Sequence, residues 1–150
     1  MRKIFPITIL IIAILAGVGV YHHFIQITET LTIQTPNGAI KYNVEIATTP
    51  EQQRTGLMFR DKLPPKTGML FLFKSIRTAR MWMKNTLIPL DMVFFDRFGY
   101  VTKVHYHAIP QDETVISSDI PVAGVLEINA GEALKYGILK GSSFDLDKFK

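Results

Sequence analysis

Short segments in which apolar and polar residues alternate constrain the fold of this chain more than any other feature. The segments "LTIQT" (31–35) and "AIKYNVEIA" (39–47) place an apolar residue at every second position, which is the period of a half-buried β-strand. "PNG" lies between them, so we predict a β-hairpin with Asn37 and Gly38 in the turn. The folded part of the chain therefore begins with β structure.

Later segments predict five further strands and a final short one. These are "GMLFLF", "ARMWM", "LDMVFFD", "YVTKVHYHAI", "GVLEIN" and "SFDLDKF". The third and fourth are joined by "DRFG", which is typical of a hairpin turn with Gly99 at its end. Seven or eight short strands predict a mainly β fold, either an antiparallel sandwich or jelly roll or a partly open barrel.

Two short helices are expected between the strands. Thr49 is a predicted N-cap, with Pro50 at the first helical position and Gln52 at the capping-box spacing, and this helix should end near Gly56. The segment "AGEALKYG" predicts a second helix, closed by Gly137 in the left-handed region. The two prolines of "RDKLPPKTG" exclude a regular strand or helix there, so this segment is predicted to be a loop.

The N-terminal segment has the composition of a membrane helix. No charged residue lies between Ile4 and Tyr21, and roughly 18 such residues span most of a hydrocarbon core. Arg2 and Lys3 precede the run, and no other Lys or Arg occurs before Lys41, which predicts an N-terminus in the cytoplasm. We therefore expect residues 1–27 to form an anchor or signal segment with a short linker, and residues 28–150 to form a single β-rich domain.

The length of the apolar run favours an uncleaved, single-pass anchor in the cytoplasmic membrane. The domain would then lie outside, in the periplasm or at the cell exterior. Gly17 and Gly19 offer a small-residue pattern that a signal peptidase accepts, and cleavage there would make the protein secreted.

Composition excludes several classes of chemistry. The chain has no cysteine, so it has no disulfide, thiol nucleophile or thiolate metal site. The net charge of +4 comes from scattered residues rather than a basic run, so nucleic acid is not an expected partner. No serine elbow, phosphate-binding glycine loop or H-E-x-x-H motif is present, and we expect no cofactor.

Two groups of residues could bind a metal but favour other interpretations. His105 and His107 are spaced to share a strand face, yet no third ligand can be identified, so we expect no metal there. Five methionines, at positions 58, 69, 81, 83 and 92, could offer thioethers to Cu(I). All of them lie in apolar segments, which favours core packing.

The remaining candidates are polar residues embedded in apolar sequence. Asp91 lies between "IPL" and "MVFF", where a carboxylate is costly unless it meets a cation or backbone N–H groups. Asp91 could therefore fix the turn before a strand. Alternatively it could belong to a cleft in which Trp82 stacks on a ligand and Arg54, Lys84 and Asn85 select polar groups. Alternation along the strand would place Trp82 on the face opposite Met81 and Met83.

Four motifs in order resemble the family known as domain of unknown function 192. They are "GLMFR" (56–60), "GMLFLF" (68–73), "WMKNTLIPLD" (82–91) and "VLEINAG" (125–131). The resemblance extends from about Thr30 to the C-terminus and implies a small, mainly antiparallel β fold, often behind a signal peptide or membrane anchor. It implies no established activity.

The resemblance also singles out positions, and the chain departs from the family pattern at one of them. The matching residues are Glu51, Arg54, Gly56, Leu57, Met58, Arg60, Gly68, Met69, Trp82, Met83, Asn85, Pro89, Leu90, Asp91, Glu127 and Gly131. Near the end, the family pattern resembles Gly-Asp, whereas this chain has Gly141 and Ser142. A role that needs an acid at that point is therefore not expected.

The favoured hypothesis is a membrane-anchored binding or accessory domain. Its cleft would be formed by segments 54–60 and 82–91, with Arg54, Arg60, Trp82, Lys84, Asn85, Asp91 and Glu127 as candidate ligand-binding residues. A cell-envelope sugar, a peptide or a small anion would be the ligand. The alternatives are an envelope hydrolase or lyase that uses Asp91 or Glu127, and a structural subunit that recruits an envelope partner through exposed edge strands.

Overall fold

The computed structural model describes residues 28–149, and the expected N-terminal anchor lies outside this range. The elements are β1 (Thr28–Thr35), β2 (Gly38–Ala47), α1 (Pro50–Thr55), β3 (Thr67–Met81), β4 (Leu90–Phe95), β5 (Val101–Ala108), β6 (Ile116–Asn129), α2 (Glu132–Tyr136) and β7 (Ser143–Phe144), followed by a 3₁₀ turn at Asp147–Phe149. Among the helices of this range, none has the length and hydropathy needed to cross a membrane.

Seven strands form one curled sheet in the order β5-β4-β6-β3-β2-β1-β7. Its two ends approach each other, because Val101 N–H donates to the Ser142 carbonyl and Phe144 N–H donates to the Gly99 carbonyl. The result is a half-barrel with two short helices, so the partly open barrel describes the molecule better than the two-sheet sandwich. These bonds also cover part of each edge of the sheet.

The sheet is antiparallel, as expected, except at one pair of strands. β2 and β3 run parallel, with Glu45 opposite Met69. Parallel neighbours need a long crossover, and the connection between them contains α1 and the proline-rich loop predicted at 60–68. The sequence pattern predicted both the helix and the loop of this crossover. It did not predict that β3 would run parallel to β2.

Two predicted strands are one, and another is longer than expected. "GMLFLF" and the first three residues of "ARMWM" (79–81) both belong to β3, whose pairing with β6 shifts register between Leu72 and Arg77 and again between Thr78 and Arg80. "GVLEIN" is only the second half of β6. The exposed residues near the shifts interrupt the apolar alternation, which explains why each strand looked shorter.

The sheet buries apolar side chains on both faces. The face that we call the cleft face carries Met69, Phe71, Met92, Phe94 and Val125 and is covered by the segments after α1 and β3. The opposite face carries another set, which packs against α2: Leu31, Ile33, Tyr42, Val44, Leu70, Val93, Phe95, Leu126 and Ile128. All six residues of β4 are buried, as expected for a strand covered on both faces.

Local sequence signals predicted the β1–β2 hairpin, both ends of α1 and the C-terminal end of α2. The β1–β2 hairpin is confirmed, although its turn residues are Pro36 and Asn37, and Gly38 begins β2. The capping box of Thr49 and Gln52 is present, and α1 ends at Gly56. Gly137 closes α2 with a φ of 71°.

Replacing Thr49 with alanine should destabilise the protein by about 1 kcal/mol, because the Gln52 N–H loses the side-chain acceptor that caps α1. Urea denaturation followed by circular dichroism measures this difference. Thr48→Ala is the matched control, since the bond at residue 48 uses its backbone N–H. Equal midpoints for the two variants would contradict the capping role.

Candidate functional site

A cleft of about 320 Å³ opens on the cleft face between α1 and the second half of β3. One wall is formed by residues 53–58, the other by Arg77, Arg80, Met81 and Trp82, and Phe71 and Glu127 lie at the floor. This volume falls at the lower end of the range for small-molecule sites. The cleft is therefore of a size to hold a metabolite or a headgroup rather than a long polymer.

Two features place α1 against the floor. The Gln53 side-chain amide donates to the carbonyls of Ala47 (3.1 Å) and Leu72 (2.8 Å), which ties the helix to β2 and β3. Gly56 has a φ of 48°, and a Cβ there would lie 3.2 Å from the Phe71 ring and 3.8 Å from Glu127 Oε2. A larger residue at position 56 would be strained and would crowd the floor.

Three arginine side chains line the cleft. Arg54 extends from α1, and Arg77 and Arg80 extend from β3. All three are exposed, and the ion pairs within residues 28–149 join other side chains. Arg77 stacks over the Phe73 ring at 4.1 Å. The cleft therefore concentrates positive charge that no carboxylate of the described residues neutralises.

Glu127 is a buried carboxyl group at the floor. It lies in β6 between Met69 of β3 and Met92 of β4 and is 5% exposed. Burial raises the pKa of Glu127 from 4.5 to about 8, and the positive charge of Arg60 offsets part of this rise. The carboxyl group is therefore mostly neutral at pH 7 and can donate a hydrogen bond into the cleft.

The rim combines an aromatic ring with further positive charge. Trp82 is 44% exposed and lines the cleft. Lys84 Nζ lies 5.4 Å from the centre of its ring and 3.7 Å from the Glu113 carboxylate. β3 ends at Met81, so the alternation predicted across Trp82 stops there, and Met81 and Trp82 line the same cleft.

Arg60 has a structural position beside the cleft. Its guanidinium donates to both carboxylate oxygens of Glu45, each at 2.6 Å. This bidentate pair joins the loop between α1 and β3 to β2. Arg60 does not line the cleft, and its effect there is the charge that it exerts on Glu127.

Asn85 and Asp91 also lie outside the cleft, although one hypothesis from the sequence placed both residues in a cleft with Trp82. Asn85 turns the chain with a φ of 53°, and its carbonyl accepts from the Phe59 N–H. Asp91 is fully buried and accepts three backbone N–H groups, from His107, Gly131 and Ala133, at 2.9 to 3.0 Å. Asp91 therefore fixes the junction of β4, β5 and α2 through backbone N–H groups.

Of the seven candidates from the sequence, the structure brings Arg54, Trp82 and Glu127 together in the cleft, with Lys84 beside its rim. The cleft also contains Arg77, Arg80, Gln53 and Thr86, which are not among these seven candidates. Arg77 and Arg80 are three positions apart, which does not suggest a shared surface on a regular strand. The register shift between Thr78 and Arg80 changes that spacing.

A second cavity of about 460 Å³ lies between β5 and the start of β6 and includes His105, His107, Asp112 and Asp119. Burial and the nearby Lys103 charge lower the pKa of His105. Lys103 Nζ pairs with Asp119 at 2.7 Å. Within residues 28–149, no three His, Asp or Glu side chains are grouped closely enough to hold a metal.

The methionines mostly pack in the core. Met69, Met83 and Met92 are buried in the apolar cluster of the cleft face, which confirms the packing interpretation for these three. Met58 and Met81 are half-buried and line the cleft.

Comparisons with known proteins agree with this architecture. A family model described as domain of unknown function 192, an uncharacterized ACR, matches residues 32–146. A structure from Novosphingobium aromaticivorans, of a protein of unknown function, is 35% identical over 87% of this chain and 93% of that one, with a TM-score of 0.80. A structure from Sinorhizobium meliloti, described as a candidate transcription regulator, is 40% identical over 80% of this chain and 94% of that one, with a TM-score of 0.78.

No curated protein matches the chain significantly. The family match covers most of the chain and all of the described sheet except residues 28–31 at the start of β1. The chain is therefore a member of the domain of unknown function 192 family.

Proposed function

We propose that this protein is a ligand-binding domain that takes a small anionic molecule in the cleft. The observation that supports it is the convergence of Arg54, Arg77 and Arg80 on one cavity without a carboxylate partner among the described residues. Three guanidinium groups repel one another, and an anion relieves that repulsion. Guanidinium groups also match carboxylate and phosphate oxygens geometrically.

The other lining residues narrow the ligand further. The exposed Trp82 ring offers a flat apolar surface for a sugar or another ring-shaped body. Glu127 in its neutral form adds a donor at the floor without repelling an anion. A ligand that joins an acidic group to a ring or short apolar body, such as a sugar acid, satisfies all three features.

The setting of this function follows from the N-terminal segment. An uncharged run from Ile4 to Tyr21 behind Arg2 and Lys3 favours a domain held at the outer face of the cytoplasmic membrane. Cleavage after Gly19 would instead release the same binding domain. The ligand would in either case come from the cell envelope or the exterior.

Trp82 is the chain's only tryptophan, so its fluorescence reports on the cleft directly. Titrating the full chain in neutral detergent with glucuronate or glycerol phosphate should change Trp82 emission, whereas glucose should not. Arg77→Gln should weaken binding about ten-fold or more, because a charged hydrogen bond contributes about 1.5–3 kcal/mol.

Arg97→Gln is the matched control for this titration. Arg97 packs over the Phe98 ring in the turn between β4 and β5 and does not line the cleft, so its loss should leave the affinity unchanged. Equal affinities in the two variants, or no response to any anion, would refute the proposed function.

A second candidate function is an envelope hydrolase or lyase with Glu127 as general acid. Its support is a buried carboxyl group with a pKa of about 8 at the floor of a cleft. Asp91 cannot share this work, since its oxygens accept three backbone N–H groups. Glu127 is the only carboxyl group among the described lining residues, so a two-carboxylate mechanism is not favoured.

Incubation with peptidoglycan fragments and anionic oligosaccharides tests this candidate. An enzyme should release product at a rate that falls above about pH 8, and Glu127→Gln should abolish turnover while Trp82 still responds to ligand. Product release that survives Glu127→Gln would exclude Glu127 as the general acid. An absence of turnover by the native chain would leave the binding function alone.

The assignment carried by the Sinorhizobium meliloti relative receives little support from the described residues of this chain. α1 has six residues and α2 has five, which is shorter than the helices that enter the DNA major groove. An interaction subunit that recruits a partner through its strand edges remains the third candidate. The bonds that join residues 99–101 to 142–144 leave less of either edge available for it.

A further inference from the structure

Three exposed apolar side chains lie in, or directly beside, the segments that line the cleft. Phe59 is 68% exposed, Leu87 is 43% exposed and Trp82 is 44% exposed. Phe59 follows the lining residue Met58, and Leu87 follows the lining residue Thr86. The Phe59 N–H donates to the Asn85 carbonyl at 2.9 Å, which holds the two rim segments side by side. The mouth therefore offers an apolar border next to the cleft's arginines.

Phe59 is an unusual residue for a position that is exposed to water. Its φ is 63°, a left-handed conformation that is strained for a bulky side chain and favours Gly, Asn or Asp. The phenyl ring gains little burial inside the domain to offset that strain. Scattered exposed apolar residues need no explanation, but several around a charged cavity are typical of an interaction surface.

The expected anchor would place this surface close to a bilayer. Thr28 begins β1 opposite Glu45, and Met69 and Glu127 continue the same row across the sheet. Three strand spacings separate β1 from β6, or about 14 Å. The linker at residues 22–27, fully extended, reaches roughly 20 Å from Thr28. The linker is thus long enough to let the floor of the cleft lie at the membrane surface.

We propose that the cleft binds the anionic headgroup of a phospholipid in the membrane that holds the chain. This inference rests on the proposed function and names the source of its anion. Arg54, Arg77 and Arg80 would contact the headgroup phosphate. The exposed side chains of Phe59, Trp82 and Leu87 would lie in the interfacial layer, where aromatic residues are favoured. The charge of the site complements that of an anionic membrane surface.

The test uses the full chain in micelles of a neutral detergent doped with phosphatidylglycerol or with phosphatidylcholine. Phosphatidylglycerol should shift Trp82 emission to shorter wavelength and reduce its quenching by acrylamide roughly two-fold, because the half-exposed ring becomes covered. Phosphatidylcholine should do neither. Added salt should reverse the effect, since the contact is electrostatic in part.

Matched variants test the arginines and the exposed apolar residues of this surface separately. The combined change of Arg54, Arg77 and Arg80 to glutamine should abolish the response. Phe59→Asn should weaken it, and asparagine suits the left-handed backbone, so the fold should survive. Phe98→Asn is the control, because Phe98 is 67% exposed in a turn that does not border the cleft. Equal responses of Phe59→Asn and Phe98→Asn would overturn the proposed membrane contact.

Glycerol phosphate added to lipid-free micelles identifies the source of the anion. If it changes Trp82 emission while the two lipids act alike, the cleft binds a free anion, so the headgroup inference fails and the proposed function stands. If neither glycerol phosphate, glucuronate nor phosphatidylglycerol has an effect, both fail. A response to phosphatidylglycerol that requires the arginines and Phe59 supports both.

Discussion

The Asp91→Ala variant is expected to lose about 4 kcal/mol of its free energy of unfolding. The Asp91 carboxylate is fully buried and accepts the backbone N–H groups of His107, Gly131 and Ala133. Alanine leaves these donors without their acceptor, and the Ala133 N–H is buried while the other two are partly buried. Each unsatisfied buried donor costs about 1–3 kcal/mol, and only part of that sum should appear because the surroundings relax.

The Asp91→Ala substitution should destabilise the end of β5 and α2 together, because the three N–H donors belong to both elements. His107 is at the end of β5, and Gly131 and Ala133 begin α2. His107 also has a φ of 54°, a conformation that the Asp91 bond helps to hold. Hydrogen exchange should therefore show faster exchange at the amides of α2 and of the end of β5 together, before the rest of the sheet.

Asp96→Ala provides the matched control for Asp91. Asp96 accepts the N–H groups of Phe98 and Tyr100, but it lies half-buried in the turn between β4 and β5. Water can replace its oxygen there, so a loss of about 1 kcal/mol is expected. Similar losses in the two aspartate variants, measured by urea denaturation, would contradict the role of burial at position 91.

The second large effect is a dependence of stability on pH that originates in Glu127. Its pKa is about 8 in the folded chain and 4.5 when exposed. Between these two values the folded state binds more protons than the unfolded state, so stability falls as pH rises. The loss begins near pH 4.5, is complete near pH 8, and amounts to a few kcal/mol.

Glu127→Gln should remove this dependence. Glutamine keeps the shape of the neutral acid but cannot ionise, so the variant should be more stable than the native chain above about pH 8 and nearly equal to it near pH 4.5. Urea denaturation at a series of pH values measures both curves. Glu113→Gln, at a largely exposed carboxylate paired weakly with Lys84, should leave the pH dependence unchanged.

A flat stability curve for the native chain between pH 5 and pH 8 would show that Glu127 ionises freely. The carboxyl group would then be hydrated from the cleft, and its proposed role as a neutral donor would be lost. A slope that persists in Glu127→Gln would assign the dependence to another group.

Much of the local structure was predictable because its causes are close together in the sequence. The hairpin of β1 and β2 follows from alternation and a turn tripeptide, and α1 follows from Thr49, Pro50 and Gln52. The ordered motifs also identified the family and placed Arg54, Trp82 and Glu127 among the candidates. Each of these signals involves residues within a few positions of one another.

The arrangement of the cleft was not predictable in the same way. Whether β3 lies parallel to β2, and which strands flank β6, depends on long crossovers whose path no local pattern specifies. The register shifts that bring Arg77 and Arg80 to one cavity likewise depend on pairing with a distant strand. The donors of Asp91 come from β5 and from the start of α2, 16 to 42 residues away.

The sequence by itself determined that this chain is mainly β with two short helices, that it lacks thiol chemistry, and that a few polar residues lie in apolar segments. Only the tertiary structure decided what those polar residues do. Asp91 and Glu127 are both carboxyl groups in apolar segments, and both are buried. Backbone N–H groups surround Asp91, whereas Glu127 faces a cavity. Burial and hydrogen bonding are set by distant segments, so only the folded chain makes one carboxyl group a structural anchor and the other the floor of a candidate binding site.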